Sequence, residues 1–354
     1  MNKKRQLEID IAKGLAILFM FLVHCYEDYG SDAIQHQGFF SHLVFFLGGP
    51  LAAPVFMFCM GVGMVYTRKQ SSKDFIKRGL TLFLIGYLLN FVRDFIPYTI
   101  QGYIHHDSAL KQTAWDYLVC TDVLPFAGLA YIFMGHFKWT KLKDNWLIPF
   151  YAIFAVANIF LIPIKLESRV LASITGLLWA SWDCTWFPFL SWIAFPIGGY
   201  FFGKQLVNQQ NSDDYYKKTL TWSGLLFFPL LIVMYGLNIN CGALDGFFGM
   251  EFFHMNWFGN ILVLDVIVLW ISFWHFASEN LPRIMKNILT RWSKQINTMY
   301  IVQWILIGNG NLVFGYFKHS LIEVLLLFIF TLAASDLLAT WITKYREKLN
   351  WTFL

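Results

Sequence analysis

Arg5-Gln6-Leu7-Glu8-Ile9-Asp10-Ile11-Ala12-Lys13-Gly14-Leu15-Ala16-Ile17-Leu18-Phe19-Met20-Phe21-Leu22-Val23-His24-Cys25 opens on charge and becomes a long apolar run with an ionisable residue toward each end. The run is about as long as a bilayer crossing, which takes about 20 mainly apolar residues. Lys3, Lys4 and Arg5 ahead of it also fit a signal peptide, but no small-x-small cleavage site follows. A bulky His24 stands before Cys25, where a lipoprotein site needs a small residue. The segment is therefore read as an uncleaved first transmembrane helix.

Nine further stretches have the same character, giving ten: 9–25, 43–66, 79–99, 117–137, 146–163, 187–203, 220–239, 258–277, 298–317 and 320–343. The loops between them settle the orientation expected. Lys and Arg number 21 on one side and 5 on the other, alternating with every helix, and Lys13 lies inside the first span. Basic loops stay in the cytoplasm, so both termini are expected there. Composition agrees: 57% of the 354 residues are hydrophobic and 14% charged, against roughly 25% charged in a soluble domain. A soluble fold could not hide that apolar surface. The net charge of +5 lies in short clusters between spans, which is topology and not a nucleic-acid face. The expected fold is an all-α, polytopic membrane protein, about ten helices around a polar tunnel, a single domain over residues 1–354 in the cell membrane. Homo-oligomerisation is left open.

The five cysteines form no Cys-x-x-Cys pair, so no metal is expected. Cys120, Cys184 and Cys241 fall on the outer side, where a disulfide among them stays open. The long outer segments 26–42, 100–116, 164–186 and 240–257 carry His36, His42, Trp182, Asp245, Glu251 and His254, a composition suited to a polar ligand. Trp179, Trp186 and Trp257 are read as a lipid-interface belt.

Charged groups are expensive in lipid and usually face protein or a water-filled cavity. Lys13 and His24 are eleven residues apart, about three helical turns, so they share a face roughly 16 Å apart along the axis. Asp10 and Asp28 continue that stripe. This places Lys13 near a cytoplasmic entrance and His24 near the outer mouth. An imidazole, with an ordinary pKa of about 6.5, can take a proton from an acceptor hydroxyl or amine. Asp28 or Glu27 can orient it. The plain alternative is a snorkelling lysine and a histidine in the headgroup region.

The segment from Arg5 to Met20 resembles the opening of the transmembrane acyltransferase superfamily. That group includes the heparan-α-glucosaminide N-acetyltransferase-like and acyltransferase-3 proteins. Many members show a basic residue, ten residues, then His at the end of helix one; here these are Lys13, where Arg is commoner, and His24. The segments 48–61, 122–129, 187–204 and 292–304 also resemble family helices. The late helix often reads Tyr-x-x-His-Trp, from which Gln303 departs. The resemblance implies an acyl-CoA donor, acetyl-CoA above all, and an extracytoplasmic carbohydrate acceptor. It implies His24 as the catalytic residue, with His42 or His36 in the first outer loop as the alternative.

The loop 67–79 carries Arg68, Lys69, Lys73, Lys77 and Arg78 against one acid, Asp74. With Lys13, the cations Arg68, Lys77 and Arg78 are candidates for the donor's phosphates, Arg contributing bidentate contacts; topology alone also explains them. Gln303, Asn309 and Asn311, with Trp182, are candidates for the acceptor. Asn90, Arg93 and Asp94 are expected to pair or to line the same cavity. The glycines in Gly308-Asn309-Gly310-Asn311 equally suit close helix packing. Asp265, Glu323 and Asp336 lie within spans and keep a transporter or flippase as the rival class; a sensor or scaffold lacking activity is a third. His136 and His275 are expected to be structural.

Overall fold

The computed structural model describes residues 6–35, 38–236 and 250–348. Its principal helices are α1 (Leu7–Tyr29), α2 (Gly38–Gly48), α3 (Ala53–Tyr66), α4 (Ser72–Asn90), α5 (Ile96–Ile104), α6 (Ser108–Leu118), α7 (Val123–Thr140), α8 (Leu147–Leu161), α9 (Ala194–Val207), α10 (Ser212–Gly236), α11 (Trp257–Ala277), α12 (Arg283–Lys294), α13 (Ile296–Phe314) and α14 (Leu321–Lys348). No strand forms among the described residues. Each of the ten expected stretches falls on a helix or a run of helices. Residues 237–239, the end of one stretch, lie outside the described residues, as do His36, Cys241 and Asp245.

Among the described residues, seven helical runs are long and apolar enough to cross a membrane. The three expected spans that fall short correspond to α7, to Phe189–Trp192 with α9, and to α13. These carry many of the buried residues, including buried polar groups such as Gln303 and Asn311. A helix shielded by protein tolerates polar residues and glycines that a lipid-facing helix would not.

The chain divides into two compact units. The first comprises 54–88 and 116–273 of the described range. Its centre is aromatic. Trp192 is fully buried, packs against Phe187, Phe195 and Phe252, and donates its indole N–H to the Phe253 carbonyl at 2.8 Å. The loops ahead of α7 and α9 are tied by backbone bonds: the Trp186 and Phe187 amides both donate to the Thr121 carbonyl at 3.1 Å. Gly199 of α9 lies directly against the Phe58 carbonyl of α3, where any Cβ would collide with backbone.

The second unit comprises the remaining described residues of 6–53, 89–115 and 274–348. It is built around α1, which packs on α2, α12, α13 and α14. The tight turn between α13 and α14 closes over the C-terminal end of α1. The amides of Phe317, Lys318 and His319 donate to the carbonyls of Asp28 and Tyr29 at 2.9–3.1 Å, and the Ser31 amide donates to the His319 carbonyl at 3.0 Å. Between α4 and α5 the helix widens into a π turn, Phe91–Phe95. Such turns re-aim side chains and are frequent at functional sites. Gly308 of α13 lies on this turn, against the Arg93 carbonyl, so close packing explains that glycine.

Candidate functional site

His24 occupies the C-terminal part of α1, half-buried, and α13 supplies its surroundings. The Gln303 side-chain amide donates from Nε2 to His24 Nδ1 at 3.0 Å and to the Met20 carbonyl at 3.4 Å. The next residue, Trp304, lies against the imidazole, with ring centroids 4.1 Å apart. The π turn brings Arg93 to the same indole, its guanidinium carbon 4.4 Å from the ring centroid. Arg93 is 1% exposed and pairs with Asp94 at 2.6 Å, as expected for these two residues. Asn311, two turns beyond Gln303, donates to Asp28 at 3.4 Å.

On α13, Gln303 Oε1, Asn311 Oδ1 and Trp304 Nε1 are buried with no hydrogen-bond partner. Buried polar atoms in native proteins almost always find a partner, so such a concentration marks a place for water or ligand. Gln303 also bears on the histidine's chemistry. With Nε2 donating to Nδ1, the neutral imidazole carries its hydrogen on Nε2. Turning the amide brings Oε1 to Nδ1, which then holds the hydrogen and leaves Nε2 basic. A glutamine, donor at one end and acceptor at the other, can hold the ring in either protonation state.

The other expected site residues divide. Asp28 is bonded by Asn311, while the hydrogen bond at His24 Nδ1 comes from Gln303. His42 lies on the exposed side of α2. Asn309 spends its amide hydrogens on the Val92 and Ile305 carbonyls, at 3.2 and 2.9 Å, so it ties α13 to the π turn. Lys13 pairs with Asp10 at 3.9 Å, and Asp10 accepts from Ser293 at 2.6 Å. Trp304 is the neighbour of His24 that sequence reading did not assign to the site; Arg93, expected to pair or to line the same cavity, reaches that indole and pairs with Asp94. The signal for Arg93 was present, a cation within an apolar run.

The cationic loop and the start of α4 lie in the first unit. Gln70 caps the end of α3 through the Met64 and Thr67 carbonyls and accepts from Lys138 at 2.7 Å, adding a sixth cation to the group. Asp74 accepts from the Ser71 hydroxyl at 2.7 Å. Lys77 and Arg78 go to different faces. Arg78 lies over the Tyr131 ring at 4.9 Å, whereas Lys77 lines an outward groove with Lys73. In the loop between α8 and α9 Trp182 packs beside Gly176 with its Nε1 buried and without a partner. Trp257 is 44% exposed, and Trp179 bonds the Ile164 carbonyl at 3.0 Å. Cys120 donates its thiol hydrogen to the Cys184 carbonyl at 2.6 Å.

Two of the acids that raised the transporter alternative have local partners. Asp336 binds Arg291 and Trp292, clamping α14 to α12. Glu323 accepts from the Ser320 amide and hydroxyl at 2.8 Å, capping α14. Asp265 stays buried in α11 with one oxygen unpartnered.

No curated protein matches the sequence. Among protein families, residues 5–235 match the one described as heparan-alpha-glucosaminide N-acetyltransferase, catalytic, a span that includes His24, Lys13, the cationic loop and Trp182 but stops short of Gln303 and Asn311. Over most of its length, from the first helix through α10, the chain thus belongs to the heparan-α-glucosaminide N-acetyltransferase catalytic-domain family of membrane transferases.

Proposed function

We propose that the protein transfers an acetyl group from acetyl-CoA on the cytoplasmic side to an amine or hydroxyl of a sugar or glycopolymer outside the cell membrane, with both termini cytoplasmic. The observation that carries this reading is the His24 cluster: a histidine at the C-terminal end of α1, held by Gln303 and Trp304, beside buried polar atoms that lack partners.

His24 is the general base. The acceptor nitrogen or oxygen attacks the thioester carbonyl carbon, and its proton passes to His24 Nε2. The carbon–sulfur bond breaks, and the proton returns from His24 to the thiolate, giving acetylated acceptor and free CoA-SH. No net proton is gained or lost. Gln303 acts with its amide turned, so that Oε1 accepts from Nδ1–H both in the neutral ring that takes the proton at Nε2 and in the charged ring that results. Asp28 and Asn311 offer the acceptor polar contacts next to the histidine. His42 is the alternative base. Arg68 and Arg78 hold the donor's phosphates. Lys77, grouped with Arg78 by sequence, faces elsewhere.

The test is thiol release from acetyl-CoA by purified protein, with and without amino sugars such as glucosamine and its oligomers. Acceptor-dependent release of CoA-SH and acetylated sugar supports the assignment; substrate transport without CoA turnover would support the rival class.

A further inference from the structure

The outward face of α4 carries a groove of about 410 Å³ lined by Lys73, Ile76, Lys77, Leu80, Thr81 and Leu84. That volume is in the range of small-molecule sites, about 300–1,000 Å³. The lining follows one helical stripe: two lysines at i and i+4, then leucines continuing the line at i+7 and i+11 from Lys73. Leu80 and Leu84 are 57% and 71% exposed, and Leu88 extends the stripe. The surface changes from cationic to wholly apolar in two turns. Thr81 does not interrupt it, because its hydroxyl is donated to the Lys77 carbonyl at 2.9 Å.

Two ammonium groups at i and i+4 repel each other unless an anion lies between them. Asp74, the nearest acid in sequence, is hydrogen-bonded to Ser71 at the helix start and attracts Lys77 only at longer range than an ion pair. From Lys73 to Leu84 the stripe runs about 16 Å, close to the roughly 15 Å half-thickness of a bilayer's hydrocarbon core. The lysines thus stand at headgroup depth when the leucines stand at acyl-chain depth.

We propose that Lys73 and Lys77, with the trough of Ile76, Leu80 and Leu84, form a site for one anionic glycerophospholipid of the cytoplasmic leaflet. The phosphate-bearing headgroup bridges the two ammonium groups, and an acyl chain lies along the leucines. Charge complementarity and the length of the apolar trough select this occupant. The site is independent of the acetyl-transfer reading.

The test uses the delipidated full-length protein in neutral detergent, titrated with dioleoyl phosphatidylglycerol or dioleoyl phosphatidylcholine and followed by native mass spectrometry. Phosphatidylglycerol should bind at least tenfold tighter. Lys73→Gln with Lys77→Gln should erase that preference, each lysine near a membrane surface contributing roughly fivefold. Leu84→Trp, which fills the trough, should weaken both lipids and keep the lysines. Soluble glycerol phosphate should compete at least 100-fold more weakly than the lipid, because it lacks the chain. Equal binding of the two lipids, or an unchanged preference in the double glutamine variant, overturns the proposal. Displacement of phosphatidylglycerol by micromolar coenzyme A also overturns it, by returning the lysines to the donor.

Discussion

Replacing Gln303 with leucine keeps the volume of the side chain and removes the hydrogen bond to His24 Nδ1 at 3.0 Å and the longer one to the Met20 carbonyl. A buried ring nitrogen left without a partner costs about 1–3 kcal/mol. If that cost falls on the histidine in its charged, proton-bearing state, turnover drops by roughly 5- to 150-fold, at 1.36 kcal/mol per tenfold. The acceptor KM should change little, because the loss is to the base. Gln303→Glu separates positioning from packing. A carboxylate accepts from Nδ1–H and favours the charged imidazole, which raises the pH at which the ring loses its proton. A base works only when deprotonated, so the acid limb of the rate profile should move to higher pH while turnover on the plateau stays within about tenfold of the parent. Both variants are assayed by CoA-SH release per folded molecule from pH 5 to 9. Full activity and an unmoved pH profile in both would refute the assignment of Gln303 to His24.

Cysteine substitutions on a cysteine-free background test orientation: Ser168→Cys should react with an impermeant reagent from outside intact cells, and Ser71→Cys and Asn211→Cys should not. Arg68→Ala with Arg78→Ala should weaken acetyl-CoA binding, with the larger loss at low salt because exposed charges are screened; unchanged affinity would remove these arginines from the donor site. Gly308→Ala should destabilise the protein by about 1–3 kcal/mol, since its Cβ meets the Arg93 carbonyl; thermal unfolding equal to the parent would contradict that packing.

The apolar stretches and the charge alternation made the helices legible, because both patterns are local and dictated by the bilayer. The residues around His24 were only partly legible. Gln303 lies 279 positions away, and no period in the sequence encodes that contact. The π turn that carries Arg93 to Trp304 replaces regular helix in an apolar run, where the expected pitch puts side chains elsewhere. Lys77 and Arg78 read as one pair in sequence, yet consecutive helical residues point about 100° apart, and the structure gives them different surroundings. Asn309 looked like an acceptor ligand because asparagine is rare in a span. Its hydrogen bond to the Val92 carbonyl shows the other use of such a residue, tying one helix to a distorted stretch of another.

The central claim is that His24 performs the proton transfer. His24→Ala is compared with the parent, His42→Ala and His36→Ala, measuring acetyl transfer per folded molecule together with coenzyme A affinity. The account predicts a loss of roughly 10²–10⁴-fold for His24→Ala, the usual contribution of acid–base catalysis, with coenzyme A binding retained and the other two variants active. A fully active His24→Ala beside an inactive His42→Ala or His36→Ala would contradict it and place the chemistry in the first outer loop.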